Sequence, residues 1–101
     1  MADVGPLMAS KLNEVGIKLA KEGQTAEALA VYEKAHRVVQ PVLRYKVSLN
    51  AALACHQAGD TVKALALLKR CEAEYGGSFD KLERIKKTMT TAVKPGQRPA
   101  V

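Results

Sequence analysis

Residues 12–35 read LNEVGIKLAKEGQTAEALAVYEKA, and residues 48–71 read SLNAALACHQAGDTVKALALLKRC. Placed one above the other at an offset of 36, the two stretches share a pattern. Gly23 aligns with Gly59, Ala28 with Ala64, Tyr32 with Leu68 and Ala35 with Cys71. Ahead of the glycines, Gly16 aligns with Ala52 and Leu19 with Cys55. Each stretch holds two apolar stripes of helical period separated by a glycine, which is the pattern of a helix, a tight turn and a second helix. Small residues at Gly16, Ala28 and Ala35 let two helices approach closely, and Tyr32 is the side chain sized to fill the gap beside Gly16.

Outside these stretches the punctuation continues in the same manner. Gly5-Pro6 opens the first helix, because proline suits a first turn. Thr25 is placed to cap the second, and Pro41 ends it. A third helix is expected from about Val42 to Ala58, and a fourth after a cap at Asp60 or Thr61. Gly76-Gly77 stops the fourth, and Ser78 is placed to cap a fifth containing Leu82, Ile85 and Met89. From Thr90 onward the residues offer nothing to bury, and 93–101 read as a flexible basic tail. No segment alternates with the period of a strand. The expected fold is all-α, with about five helices in antiparallel hairpins.

At this point the chain resembles the tetratricopeptide repeat, a helix–turn–helix unit of about 34 residues. The first copy carries Leu12, Val15-Gly16, Leu19, Gly23, Ala28, Tyr32 and Ala35, with Pro41 near its end. The second carries Ser48, Ala51-Ala52, Cys55, Gly59, Ala64, Leu68 and Cys71. Leu82, Ile85 and Met89 fit the first helix of a third copy that does not complete. The resemblance implies a small right-handed stack over residues 1–92, with repeats at about 9–42 and 45–78 and a capping helix at about 79–91. One hairpin cannot cover its own apolar face, so stacked copies must share a core. About three repeats are usual for stability, and a short array therefore points to self-association as a homodimer or to a place within a longer protein.

The composition sets the outer bounds. The chain has 101 residues, 48% hydrophobic and 26% charged, the balance of one small globular domain and not of a disordered chain. No apolar run approaches the roughly 18 residues of a membrane span. With 4% aromatics and no Trp, an Ala- and Leu-rich core favours helices. Two cysteines are too few for a disulfide framework, and the first residues lack a basic leader and an apolar run, so a reduced cytoplasmic setting is expected. Of the net charge of +6, the residues from Ser78 onward contribute most, with six basic side chains against two acidic ones.

Catalytic chemistry has little to stand on. There are two His and two Cys, and no phosphate loop or metal-ligand spacing, so no catalytic residue, metal site or cofactor is expected. Cys55 and His56 are neighbours, but adjacent helical residues point about 100° apart. Cys55 and Cys71 would sit about 9 Å apart along antiparallel helices, too far for an undistorted disulfide, and both read as small core residues. His36 reads as a helix–helix edge.

Binding is the stronger expectation. The resemblance implies that the first helices of successive repeats line a concave groove for a peptide, a helix or a partner protein. Carried onto this chain, that line comprises Asn13, Ile17 and Lys21, then Lys46, Leu49, Asn50, Leu53 and His56, with Arg84 and Lys87 from the last helix. Ile17, Leu49 and Leu53 are expected to form an exposed apolar strip. The family's clamp for acidic chaperone tails is incomplete here: Asn50 matches it, but Asn13 and Ile17 replace its Lys and Asn. Residues 12–23 also resemble repeats appended to bacterial signalling proteins such as response regulators, which implies a docking or output segment. The alternative partner is nucleic acid, through Lys81, Arg84, Lys86, Lys87, Lys94 and Arg98. No aromatic residue follows Phe79 to accompany those charges, and cations near a helix C-terminus also suit the helix dipole.

Overall fold

Gly23 and Gly59 build the same turn twice. Their φ angles are 82° and 90°, left-handed values that cost a side-chain-bearing residue about 1–2 kcal/mol. In the first turn the amide of Gly23 donates to the carbonyl of Ala20 and that of Gln24 to Leu19, at 3.1 and 2.9 Å. In the second, Gly59 donates to His56 and Asp60 to Cys55, at 3.0 and 2.9 Å. The next helix then starts identically, with Ala28 donating to Gln24 and Ala64 to Asp60. Every one of these partners is displaced by the 36 residues that separate the two glycines in the sequence.

These turns belong to a computed structural model that describes residues 4–92, with side chains described for residues 8–90. Its helices are α1 (Val4–Lys21), α2 (Thr25–Val38), α3 (Arg44–Gln57), α4 (Thr61–Tyr75) and α5 (Asp80–Ala92). Five helices and no strand are present among the described residues, so the fold is all-α. α1 packs on α2, α3 on α4, α2 on α3, and α5 on the α4 end. The three-residue turns joining α1 to α2 and α3 to α4 make each of these two pairs an antiparallel hairpin.

The helix ends correct the sequence reading in several places. The residue before α2 is Gln24, which makes no side-chain cap, so Thr25 is already helical. Asp60 does cap α4, its carboxylate accepting from the Lys63 amide at 3.1 Å. Pro41 forces Gln40 into extended backbone (φ −58°, ψ 138°), which ends α2 at Val38, and the chain restarts through a 3-10 turn at Pro41–Leu43 before α3. Thus α3 begins at Arg44 and not at Val42. Gly76 closes α4 with φ 93°, as its composition requires. The hydroxyl of Ser78 hydrogen-bonds the side chain of Glu83, while the first α5 amide bond runs from Glu83 to the Phe79 carbonyl. Thr90 is helical and donates to the Lys86 carbonyl, and α5 continues to Ala92, close to the expected end of the capping helix. Residues 93–101 lie outside the described residues.

Burial follows the repeat offset. Ala28 and Ala64 are fully buried, as are Ala35 and Cys71, while Tyr32 and Leu68 are 2% and 1% exposed. Gly16 and Ala52 are both buried. A methyl on Gly16 would lie 2.5 Å from Cε1 of Tyr32, so the ring occupies the space that the missing side chain leaves. One core cluster joins Ala28, Tyr32, Ala35, Val47, Ala51 and Ala54, with Leu12, Leu19 and Ala20 at its edge. The other joins Leu49, Ala52, Cys55, Ala64, Leu68, Cys71, Leu82 and Met89. Leu29 and Leu67 pack against both. α3 buries Val47, Ser48, Leu49, Ala51, Ala52, Ala54 and Cys55, more of its surface than α2 or α4 does. α5 contributes Leu82 and Met89, both fully buried. Each such side chain stabilises the fold by about 2–3 kcal/mol.

Candidate binding groove

α1, α3 and α5 bring most of the sequence-predicted groove residues to one connected trough. Asn13 and Lys46 line a depression of about 220 Å³ with Ala9, Val39, Leu43 and Val47. Both also line a second of about 410 Å³, with Leu49, Asn50, Lys81 and the rings of Tyr45, Tyr75 and Phe79. Asn50 continues into a third, with Ile17, Lys21, Leu53 and Gln57. Leu53 in turn borders a fourth, with His56, Arg84, Ile85, Thr88 and Met89. Each depression shares lining residues with the next, so the four lie side by side as a trough. Lys87 is not among the lining residues.

Inside the trough Asn50 Nδ2 donates to Asn13 Oδ1 at 2.9 Å, tying α3 to α1. The two residues placed in a common line by sequence are therefore in direct contact. The apolar strip is different from the expected one. Leu49 is only 5% exposed and Leu53 is half-buried against the same cluster, whereas Ile17 remains 38% exposed. Leu49 belongs to the core cluster that Ala64, Leu68 and Cys71 of α4 and Leu82 and Met89 of α5 complete. Leu49 is a core residue that borders the trough, and its replacement by Glu would unfold the protein instead of testing binding.

Aromatic packing at the trough's end was not foreseen. Tyr45, Tyr75 and Phe79 form a triangle with centroid distances of 4.8, 5.5 and 4.4 Å, two of the contacts edge-to-face. The signal in the sequence was weak, because the three residues come from α3, α4 and the turn before α5.

A second polar assembly lies between α2, α3 and α4. Ser48 Oγ donates to Glu74 Oε1 at 2.6 Å and accepts from Arg70 Nε at 2.9 Å. Glu74 Oε2 meets His36 Nε2 at 2.5 Å, and Arg70 Nη1 reaches Glu33 at 3.2 Å. Arg44 Nε adds a bond to the His36 carbonyl. His36 is therefore at a helix–helix edge, as expected, with Glu74 as its partner. The sequence did carry a sign of this network: Ser48 stands where the first copy has Leu12, and a hydroxyl at a buried helix contact needs partners.

The thiols sit in the core. Cys55 and Cys71 are buried and unbonded. Burial pushes both thiols up, Cys71 to about 11 with further help from Glu74 and Glu72. His56 faces away from Cys55 and meets Thr61 Oγ1 at 3.5 Å. On α5, Lys86 bridges Glu72 at 3.2 Å and Glu83 at 3.7 Å. Its ammonium pKa is raised, chiefly by the hydrogen bond to Glu72. Among the described residues, no group of three or more His, Cys, Asp or Glu side chains could hold a metal ion, and no helix is long and apolar enough to cross a membrane.

No protein-family model, no curated protein and no solved structure matches the chain.

Proposed function

We propose that this chain is a protein-interaction module: two tetratricopeptide-like hairpins capped by α5, holding a segment of another protein in the trough along α1, α3 and α5. The observation that carries the reading is the convergence of Asn13, Ile17, Lys21, Lys46, Leu49, Asn50, Leu53, His56 and Arg84 on that trough. They come from three helices separated by long stretches of chain, and they are nine of the ten residues that the resemblance implies for a groove, Lys87 being the exception. The duplicated turns and the Gly16–Tyr32 contact support the tetratricopeptide-like assignment. The exposed Ile17 among amides and cations is the surface that a partner would cover. Protein is favoured over nucleic acid because apolar Ile17, Leu53 and Ile85 lie between the cations of the trough.

Site-specific photo-cross-linking tests it. A benzophenone side chain at Ile17 or Lys46 should capture a discrete partner in lysate of the native host, whereas one at Val62, 82% exposed on α4, should not. Capture of a second copy of the chain from the trough positions would make the module a homodimer. Equal capture from Val62, or none from either trough position, would remove the proposal.

A further inference from the structure

The charged side chains that line the trough are all of one sign. Lys21 on α1, Lys46 on α3, and Lys81 and Arg84 on α5 all line it. None of the four is ion-paired to another described residue. No Asp or Glu is present among the described lining residues. The chain is not short of carboxylates: it has ten acidic residues. Glu33 and Glu74 are held by Arg70, Glu72 and Glu83 by Lys86, and Asp60 caps α4. None of these five lines the trough. A concave wall of one sign focuses its field and raises both the local concentration and the on-rate of the opposite charge.

Two further features narrow the ligand. Between the cations the floor is apolar, with Ile17, Leu53 and Ile85. A phosphate backbone would find its cations interrupted there, while alternating carboxylate and apolar side chains would find each its place. The Asn13–Asn50 bond uses one donor of Asn50 and the oxygen of Asn13. It leaves an amide NH2 on Asn13 and an amide oxygen on Asn50, the complement of a peptide group's carbonyl and N–H. A helix has already satisfied those groups internally; an extended segment has not.

Resting on the groove proposed above, we infer that the trough takes an extended acidic segment with interspersed apolar residues, recognised along its length and not through a free terminal carboxylate. The test uses the 15N-labelled full chain and three peptides of equal length and apolar content, blocked at both ends, whose polar positions are all Glu, all Gln or all Lys. An oligothymidylate of the same length is the fourth probe. The Glu peptide should shift the amides of Ile17, Lys46, Asn50 and Arg84, and its Kd should weaken by about tenfold on going from low to about 0.3 M salt. Lys46→Glu and Arg84→Glu should each weaken it by about fivefold, while Lys63→Glu on α4 leaves it unchanged. Undisturbed amide dispersion in the variants shows that they remain folded. Equal binding of the Gln and Glu peptides would overturn the charge inference and leave the groove standing. Shifts confined to other faces, or no shift with any peptide, would overturn both. Tighter binding of the oligothymidylate at the same residues would replace the polypeptide by a nucleic acid and overturn the inference.

Discussion

A β-carbon on Gly16 would meet Cε1 of Tyr32 at 2.5 Å and Cδ1 at 2.9 Å, and the ring is 2% exposed with little room to withdraw. Helix propensity favours Ala over Gly by about 1 kcal/mol, whereas overpacking costs about 1–3 kcal/mol. Gly16→Ala should therefore fail to stabilise and should cost up to about 2 kcal/mol, against the usual trend for a mid-helix glycine. The second hairpin already contains the compensated pair, Ala52 beside α4 with Leu68 in place of the ring. Tyr32→Leu alone should destabilise by leaving a void, and the double variant Gly16→Ala/Tyr32→Leu should be more stable than the sum of the two predicts. Thermal unfolding of the four proteins measures this coupling, and strict additivity would refute the contact. The cysteines give a second test at this scale. Their thiol pKa values are raised by burial, so the folded state favours the protonated form. Stability from this source is intact below the unfolded thiol value near 9 and is lost as pH climbs towards about 11. Native protein at pH 8 should resist a thiol reagent, and both thiols should react at once in denaturant; rapid labelling of the folded chain would contradict the burial.

Between elements, side-chain polarity decides how α2, α3 and α4 are held, and here the sequence was only partly readable. Glycine and proline carry steric instructions that act locally, so the turns at Gly23 and Gly59, the stop before Pro41 and the end of α4 at Gly76 could be read in advance. The groove line rests instead on the resemblance to the tetratricopeptide repeat, with helical period fixing which residues share a face. What could not be read was that Leu49 joins a core cluster with residues of α4 and α5, because nothing in the local pattern of α3 distinguishes a leucine facing a partner from one facing the next helix. Likewise Ser48 looked like a degraded repeat position until Glu74 and Arg70, more than 20 residues away, were brought to it. Glu74 is the hub, so Glu74→Ala strands Ser48, His36 and Arg70 together and should cost about 2–4 kcal/mol in urea unfolding. Ser48→Ala should cost about 1 kcal/mol in the native background and almost nothing once Glu74 is gone. Equal effects in both backgrounds would mean that the three helices are not joined through this carboxylate.

Across the whole molecule, stability is unequal because the layers are shared unequally. The thinnest dimension is 16 Å, about two helices, so a helix in the middle of the row is covered on both sides and one at the end on one. α3 packs against α2 and α4 and buries seven residues, Ser48 among them. α1 packs mainly on α2 and leaves Met8, Val15 and Ile17 exposed at 46%, 44% and 38%. Leu29 and Leu67 touch both core clusters and couple the two hairpins into one unit, yet α1 lies at the far edge of that coupling. Local opening follows the density of buried contacts. Amides in α3 should therefore exchange with solvent last, with a free energy near that of global unfolding, and amides in the end helices, α5 and the first half of α1, should exchange earlier. If a segment seats in the trough it touches α1 and α3 together, through Asn13 and Ile17 on one side and Lys46 and Asn50 on the other. Binding should then slow exchange in α1 far more than in α3, since only α1 has open states left to suppress. Exchange of α1 and α3 at a common rate in the free protein would show a single cooperative block, and this route by which a bound segment stiffens the edge helix would not exist.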